Sequence, residues 1–153
     1  MRTVGSVVLG YVVIFALVFI TFSLAYGILG ADGAFRPGSY EISGLWIAVS
    51  IALGFIAAGV GGFVCLAVGR TPRAPKFLAA LVLGLGLLMA IPAFAPSDEA
   101  SPKAREADVG NIEAMQNSEQ PAWLALFNPV IGAAGVLAGA RLKKRPTSEP
   151  PAA

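Results

Sequence analysis

Residues 45–68 read LWIAVSIALGFIAAGVGGFVCLAV, a run of 24 residues without one charged side chain. An α-helix rises 1.5 Å per residue, so about 20 apolar residues cross a hydrocarbon core of roughly 30 Å. The run is apolar on every face, whereas the strands of a membrane barrel alternate apolar with polar residues. It therefore predicts a transmembrane helix.

Three further apolar blocks, residues 4–29, 77–94 and 122–140, also lack Asp, Glu, Lys and Arg and are long enough to span a bilayer. The composition agrees, because 56% of the 153 residues are hydrophobic and 13% are charged, against about 25% charged in soluble domains. The predicted fold is all-α: a polytopic membrane protein built as a four-transmembrane-helix bundle. We expect one domain, residues 1–145, and a disordered cytoplasmic tail, residues 146–153.

Local signals mark the ends of the predicted spans. Ser43 is placed to cap the N-terminus of the second helix. Pro92 and Pro96 are expected to end the third helix, and Pro121 to start the fourth. The first block has a passable signal-peptidase site at residues 23–25, but it is much longer than the 7–15 apolar residues of a signal peptide. We therefore expect an uncleaved first helix.

Charge is segregated by loop. The N-terminus, the turn at 70–76 and the C-terminus hold most of the basic residues: Arg2, Arg70, Arg73, Lys76, Arg141, Lys143, Lys144 and Arg145. The other two loops hold all acidic residues but Glu149: Asp32, Glu41, Asp98, Glu99, Glu106, Asp108, Glu113 and Glu119. Because cytoplasmic loops retain Lys and Arg, both termini are predicted to be cytoplasmic, in a bacterial inner membrane.

The predicted outer loop between the third and fourth helices, residues 95–122, is acidic. Within it Val109, Ile112 and Met115 recur every three residues, which suggests a short amphipathic helix on the membrane surface. The acids lack the spacing of a calcium-binding loop. A solvated loop is the simplest interpretation, and binding of a cation or of a partner outside the cell is the alternative.

Small residues predict where helices meet, because close backbone approach drives helix association in lipid. The second helix carries small residues at a spacing of four, and the fourth has a GxxxG pair: Ser50, Gly54, Ala58, Gly62, Gly135 and Gly139. We expect these two helices to pack together and Gly54→Leu to weaken folding. The pattern does not distinguish contact within one chain from homodimerisation.

The sequence offers little chemistry. It contains no histidine and one cysteine, and we find no nucleotide-binding, metalloprotease or nucleophile motif. We therefore predict no catalytic, cofactor-binding or metal-binding residue. A net charge of +2 is too small to indicate a nucleic-acid partner. The one weak candidate for a polar site is Asn128, followed by Pro129 inside the fourth helix, where a kinked packing helix is the simpler interpretation.

These observations favour a small non-enzymatic membrane protein that acts through helix–helix interaction with a membrane partner or with itself. We expect the lipid bilayer to be its main contact. The alternative is a passive pore or small-solute transporter that uses Asn128 and the glycine-rich second helix. An ion-coupled transporter is disfavoured because it normally needs an ionisable group within a span.

Overall fold

The computed structural model describes residues 2–94 and 110–144, which fold into helices joined by short turns. The helices are α1 (Arg2–Ala34), α2 (Gly44–Gly69), α3 (Arg73–Ala90, continued by a 3-10 turn at Ile91–Phe94), α4 (Asn111–Asn117) and α5 (Ala122–Lys144). Four of them, α1, α2, extended α3 and α5, are long and apolar enough to cross a membrane, as the sequence predicted. The predicted tail and residues 95–109 of the acidic loop lie outside the described residues.

Several predicted boundaries are confirmed. Ser43 caps α2, since its hydroxyl oxygen accepts a hydrogen bond from the Trp46 amide at 3.0 Å. Pro121 opens α5, and its carbonyl accepts from the Leu124 amide at 2.9 Å. The α-helical part of α3 ends at Ala90, two residues before Pro92, where the backbone tightens into the 3-10 turn.

The first helix is longer than the predicted block. It passes Leu29 and reaches Ala34 through a kink at Gly30, whose φ of 66° lies in the left-handed region that favours glycine. The kink redirects the last turn so that Ala31 and Ala34 are buried. The helix therefore changes direction at Gly30, and a tight turn follows, in which the Ser39 amide donates to the Arg36 carbonyl at 3.2 Å.

α2 is the central helix of the bundle. It packs against α1, α3 and α5, and its contact with α5 is the most extensive in the described structure. α3 also packs against both α1 and α5. Among the described residues, however, no Cα of α1 lies within 8 Å of a Cα of α5. The bundle is therefore open between its first and last long helices.

The α2–α5 contact joins backbone to backbone. An ideal Cβ on Gly135 would lie 2.8 Å from the Phe55 carbonyl oxygen. A Cβ on Gly62 would overlap the backbone of Val136, and one on Gly139 would overlap that of Gly59. The prediction that the second and fourth long helices meet is confirmed, and glycine is required there because no side chain fits.

Glycines also bring α1 and α3 into the bundle. A Cβ on Gly61 of α2 would lie 2.8 Å from the Gly10 carbonyl oxygen of α1. A Cβ on Gly10 would in turn lie 2.8 Å from Leu78 Cδ2 of α3. On the other side of α3, Gly86 faces Pro129 of α5, with only 2.5 Å between an added Cβ and the proline Cγ.

Gly54 differs from its neighbours in the same row. An added Cβ there would meet no atom within 4 Å. The residue faces the opening between α1 and α5, so the expectation that Gly54→Leu weakens folding has no steric basis in the structure. The glycines of α5 instead meet α2 at Phe55, Ala58 and Gly59.

Two alanine substitutions on α2 test this difference. Gly62→Ala should lower the free energy of unfolding by about 1–3 kcal/mol, because the methyl group forces α2 and α5 apart. Gly54→Ala should leave it unchanged or raise it by up to about 1 kcal/mol, because alanine favours a helix over glycine. The measurement is chemical unfolding in detergent followed by circular dichroism. Equal losses from the two substitutions would contradict the α2–α5 geometry.

Candidate functional site

A cleft with a volume of about 530 Å³ lies between α1 and α5. Helix α2 forms the inner wall of the cleft with Ser50 and Gly54, while Val18 and Phe19 of α1 and Ile131 of α5 form its two sides. It exists because α1 and α5 share α2 as a neighbour, while no described Cα of one lies within 8 Å of a Cα of the other. Its lining is mainly apolar with a few polar side chains, which makes it the default candidate for a binding site.

Close helix packing shuts the cleft at the end that holds both termini. There Gly10 of α1 sits against Gly61 of α2 and against Leu78, which is fully buried. Ile14, one turn further along α1, also contacts Gly61 and is among the deepest residues of the cleft. Below Ile14 the three helices leave no room for a ligand.

The turn after α1 and the segment around α4 cover the opposite end. Phe35 and Ile42 face each other in an isolated antiparallel bridge across the turn. The Glu119 amide donates to the Tyr40 carbonyl at 2.9 Å, and the Ile42 amide donates to the Glu119 carbonyl at 3.2 Å. The buried Tyr40 hydroxyl donates to Glu113 Oε1 of α4 at 2.8 Å. These bonds join two segments more than 70 residues apart in the sequence.

An aromatic cluster beneath this cover forms the roof of the cleft. The rings of Tyr26 and Trp46 lie edge to face, 6.2 Å apart, and Phe22 lies 5.9 Å from Trp46 in the same manner. Phe35 continues the cluster at 6.4 Å from Tyr26. Edge-to-face aromatic pairs stabilise a cluster beyond their burial alone. Together with Leu124 of α5, which is buried, they close the cleft at this end.

Two of the polar side chains that line the cleft, Ser50 and Asn128, lie just below the roof. Ser50 follows Trp46 by four residues and Asn128 follows Leu124 by four, so each lies about 6 Å below the roof. The Ser50 hydroxyl donates to the Ile47 carbonyl of its own helix at 3.0 Å. The Asn128 side chain is exposed to the cleft and has no hydrogen-bond partner among the described residues. The amide of Asn128 is therefore available to form a hydrogen bond with a ligand that enters the cleft.

The structure divides the residues predicted from small-residue spacing into two groups. Ala58, Gly62, Gly135 and Gly139 meet where α2 packs on α5. Ser50 and Gly54 instead line the cleft, together with Asn128. Pro129 packs against Gly86 of α3, so Asn128 and Pro129 face different neighbours around α5. The cleft, which Ala58 also lines, thus collects the polar candidate and three residues that were predicted only as packing positions.

The roof was not predicted as part of a site. Tyr26 lies inside a long apolar block, and Tyr40 and Glu113 lie in different loops. Their meeting depends on contacts across most of the chain, which spacing in one segment does not reveal. An aromatic residue near the outer end of each of the first two helices was the only local signal.

The described lining of the cleft carries no charged side chain. No Asp, Glu, Lys or Arg is among the described residues that line the cleft. In the same described ranges there is no group of three His, Cys, Asp or Glu side chains that could hold a metal ion. Comparison with protein-family models, with curated proteins and with solved structures found no match to this chain. The role of the cleft is therefore inferred from its geometry and lining.

Removing the Ser43 hydroxyl should destabilise the roof. Ser43 accepts from the Trp46 amide and donates to the Gly33 carbonyl at 2.6 Å, so it ties α2 to the end of α1. We expect Ser43→Ala to lower the free energy of unfolding by about 1 kcal/mol or more, as loss of a helix cap does. The measurement is the unfolding midpoint in detergent.

Ser50→Ala is the matched control, because the Ser50 hydroxyl bonds only within its own helix turn. It should change stability by less than about 0.5 kcal/mol. If Ser50→Ala lowers the free energy of unfolding as much as Ser43→Ala does, then the hydrogen bonds of Ser43 between α1 and α2 are not what stabilises the roof.

Proposed function

We propose that the chain is an integral protein of the bacterial inner membrane that crosses the bilayer four times with both termini in the cytoplasm. Large apolar side chains on the outer surfaces of the long helices support this, including Phe15 (66% exposed), Ile56 (61%) and Met89 (81%). So much exposed apolar surface suits lipid and is unsuited to water. The spans themselves carry no charged side chain that lipid would have to accommodate.

The charges at the two ends of the bundle support the orientation. The end formed by the start of α1, the α2–α3 turn and the end of α5 carries Arg2, Arg70, Arg73, Lys76, Arg141 and Lys143. The other end carries Asp32, Glu41, Glu113 and Glu119 among the described residues. Its one described base, Arg36, pairs with Glu41 at 2.8 Å. Positive charge is retained on the cytoplasmic side, so the basic end is the inner one.

Single cysteines test this orientation in a Cys65→Ser background. Pro37→Cys and Lys76→Cys place exposed thiols at the two ends of the bundle. A membrane-impermeant maleimide should label Pro37→Cys in intact cells and Lys76→Cys only after the membrane is disrupted. The reverse pattern would invert the proposed topology, and labelling of both in intact cells would contradict the four spans.

We further propose that the protein acts without catalysis, by lateral helix–helix association with another membrane protein or with a second copy. The observation that carries this proposal is the separation of α1 from α5. It leaves the rims of the cleft, Phe15 and Phe19 on one side and Ile131 on the other, without a helix between them. A partner helix lying along this open side would restore the neighbour that each rim lacks.

The small residues predicted as packing positions are not equally available to a partner helix. Gly62, Gly135 and Gly139 already contact backbone within this chain. The open side of the cleft is the part of the bundle where α2 still presents small residues, Ser50 and Gly54, to an approaching molecule. This favours the α1–α5 side as the face for association.

The alternative of a passive pore has one feature in its favour, since a cavity does reach Asn128. Conduction also needs a polar path from one side of the membrane to the other. The contact of Gly10 with Gly61 and Leu78 blocks such a path, and the lining between Ile14 and Ser50 is apolar. The geometry therefore supports association more than conduction.

Photocrosslinking in cells tests the association. A photoreactive amino acid at Phe19, on the rim and 54% exposed, should form a discrete protein adduct. The same amino acid at Leu88 of α3, which is 61% exposed and away from the cleft, is the matched control and should form only lipid adducts. Mass spectrometry then identifies the adduct as a second copy or as another membrane protein. Lipid adducts alone at both positions would contradict the proposal.

A further inference from the structure

We propose that the interior of the cleft binds one neutral amphiphile, a molecule with a single apolar chain and an uncharged polar group that hydrogen-bonds to Asn128. This site lies inside the rims where a partner helix would sit. The inference goes beyond lateral association and does not depend on it.

The length of the interior is the first argument. The cleft extends along α1 from Ile14, where close packing ends, to Tyr26 in the roof. Twelve residues of helix span about 18 Å. A helix that crosses the bilayer needs roughly 30 Å, so it cannot fit between the two closed ends. A single extended apolar chain fits this length.

The volume agrees with a small occupant. The cleft has a volume of about 530 Å³. Small-molecule sites commonly measure about 300–1,000 Å³ and are mainly apolar with a few placed polar groups. The cleft matches that description.

The distribution of polarity sets the direction of the ligand. Asn128 and Ser50 lie about one turn below the aromatic roof, while the deeper lining consists of Ile14, Ala58 and Val82. An asparagine amide offers two N–H donors and one carbonyl acceptor. The polar group of the ligand therefore lies near Asn128, and its apolar chain extends from there towards Ile14.

The absence of charge in the lining selects a neutral ligand. None of the described residues around the cleft is Asp, Glu, Lys or Arg, and an unpaired charge in an apolar site is strongly unfavourable. A monoacylglycerol, a fatty alcohol or a quinone satisfies this condition. The charged headgroup of a phospholipid does not, although its chains are equally apolar.

Quenching of Trp46 measures the binding directly. The chain has two tryptophans, and Trp123→Phe leaves Trp46 in the roof as the only one. We would titrate the purified full-length variant in nanodiscs with a monoacylglycerol that carries a nitroxide near its polar end. The expected result is saturable quenching. Asn128→Leu should raise the half-saturation concentration about fivefold, the usual effect of losing one hydrogen bond.

Two glycine variants provide a matched pair. Gly54→Leu puts a side chain into the cleft, and Gly84→Leu puts one on the outer face of α3. An added Cβ meets no atom within 4 Å at either position. Unchanged circular dichroism and elution volume confirm that both variants fold. Gly54→Leu should abolish saturable quenching, whereas Gly84→Leu should leave it as in the parent.

Three results would overturn the inference. One is quenching that rises linearly with probe concentration and is equal in the two glycine variants. Another is an unchanged half-saturation concentration in Asn128→Leu. The third is equally strong binding of an anionic nitroxide-labelled phosphatidylglycerol. Each would leave the Phe19 crosslinking result unaffected, so failure of this inference is distinguishable from failure of the proposed association.

Discussion

The rest of the structure depends on the backbone contact between α2 and α5. In a bilayer no hydrophobic force brings helices together, so their association depends on close van der Waals contact. Gly62 against Val136 and Gly139 against Gly59 provide such contact without an intervening side chain. Gly61, on another face of α2, does the same for α1 through Gly10. One glycine-rich helix thus holds two others on separate faces.

The cleft is a consequence of that arrangement. Because α2 holds α1 and α5 on different faces, the backbones of these two helices stay apart, and the small residues Gly54 and Ser50 face the gap. The turn after α1 and the segment at 110–120 then cover one end of the gap through Tyr40, Glu113 and the aromatic cluster. Side chains that face an empty cleft lack neighbouring atoms on that side and therefore lose dispersion contacts. An apolar molecule in the cleft would restore them, which is why association and ligand binding are both placed there.

The long helices were largely predictable because their signals are local. Each of these signals lies within one segment of the chain: the four uncharged blocks, the Ser43 cap and Pro121. The structure has helices at those positions. The extension of α1 past Gly30 was missed because the chain leaves the helical conformation at this glycine and resumes a short helical segment after it, in which Ala31 and Ala34 are buried.

The cleft could not be predicted in this way. Gly54 and Gly62 stand in one row with the same spacing, yet one faces open space and the other a backbone. The difference depends on which part of α2 lies against α5, and spacing within one helix does not encode that. The Tyr40–Glu113 bond is likewise invisible to local pattern because 73 residues separate its partners. Asn128 could be found as a polar residue in a span, but its exposure to a cleft could not.

The most direct measurement of this account is disulfide formation across the bundle in native membranes, in a Cys65→Ser background. Val82→Cys with Gly132→Cys joins α3 to α5, where an added Gly132 Cβ lies 3.0 Å from Val82 Cγ1, and it should crosslink readily. Val18→Cys with Ile131→Cys faces across the cleft, where no described Cα of α1 is within 8 Å of α5. Disulfides rarely form beyond about 7 Å between Cα atoms, so this second pair should stay reduced under the same oxidant. Equal crosslinking of both pairs would show that α1 and α5 meet in the membrane and that the cleft is closed.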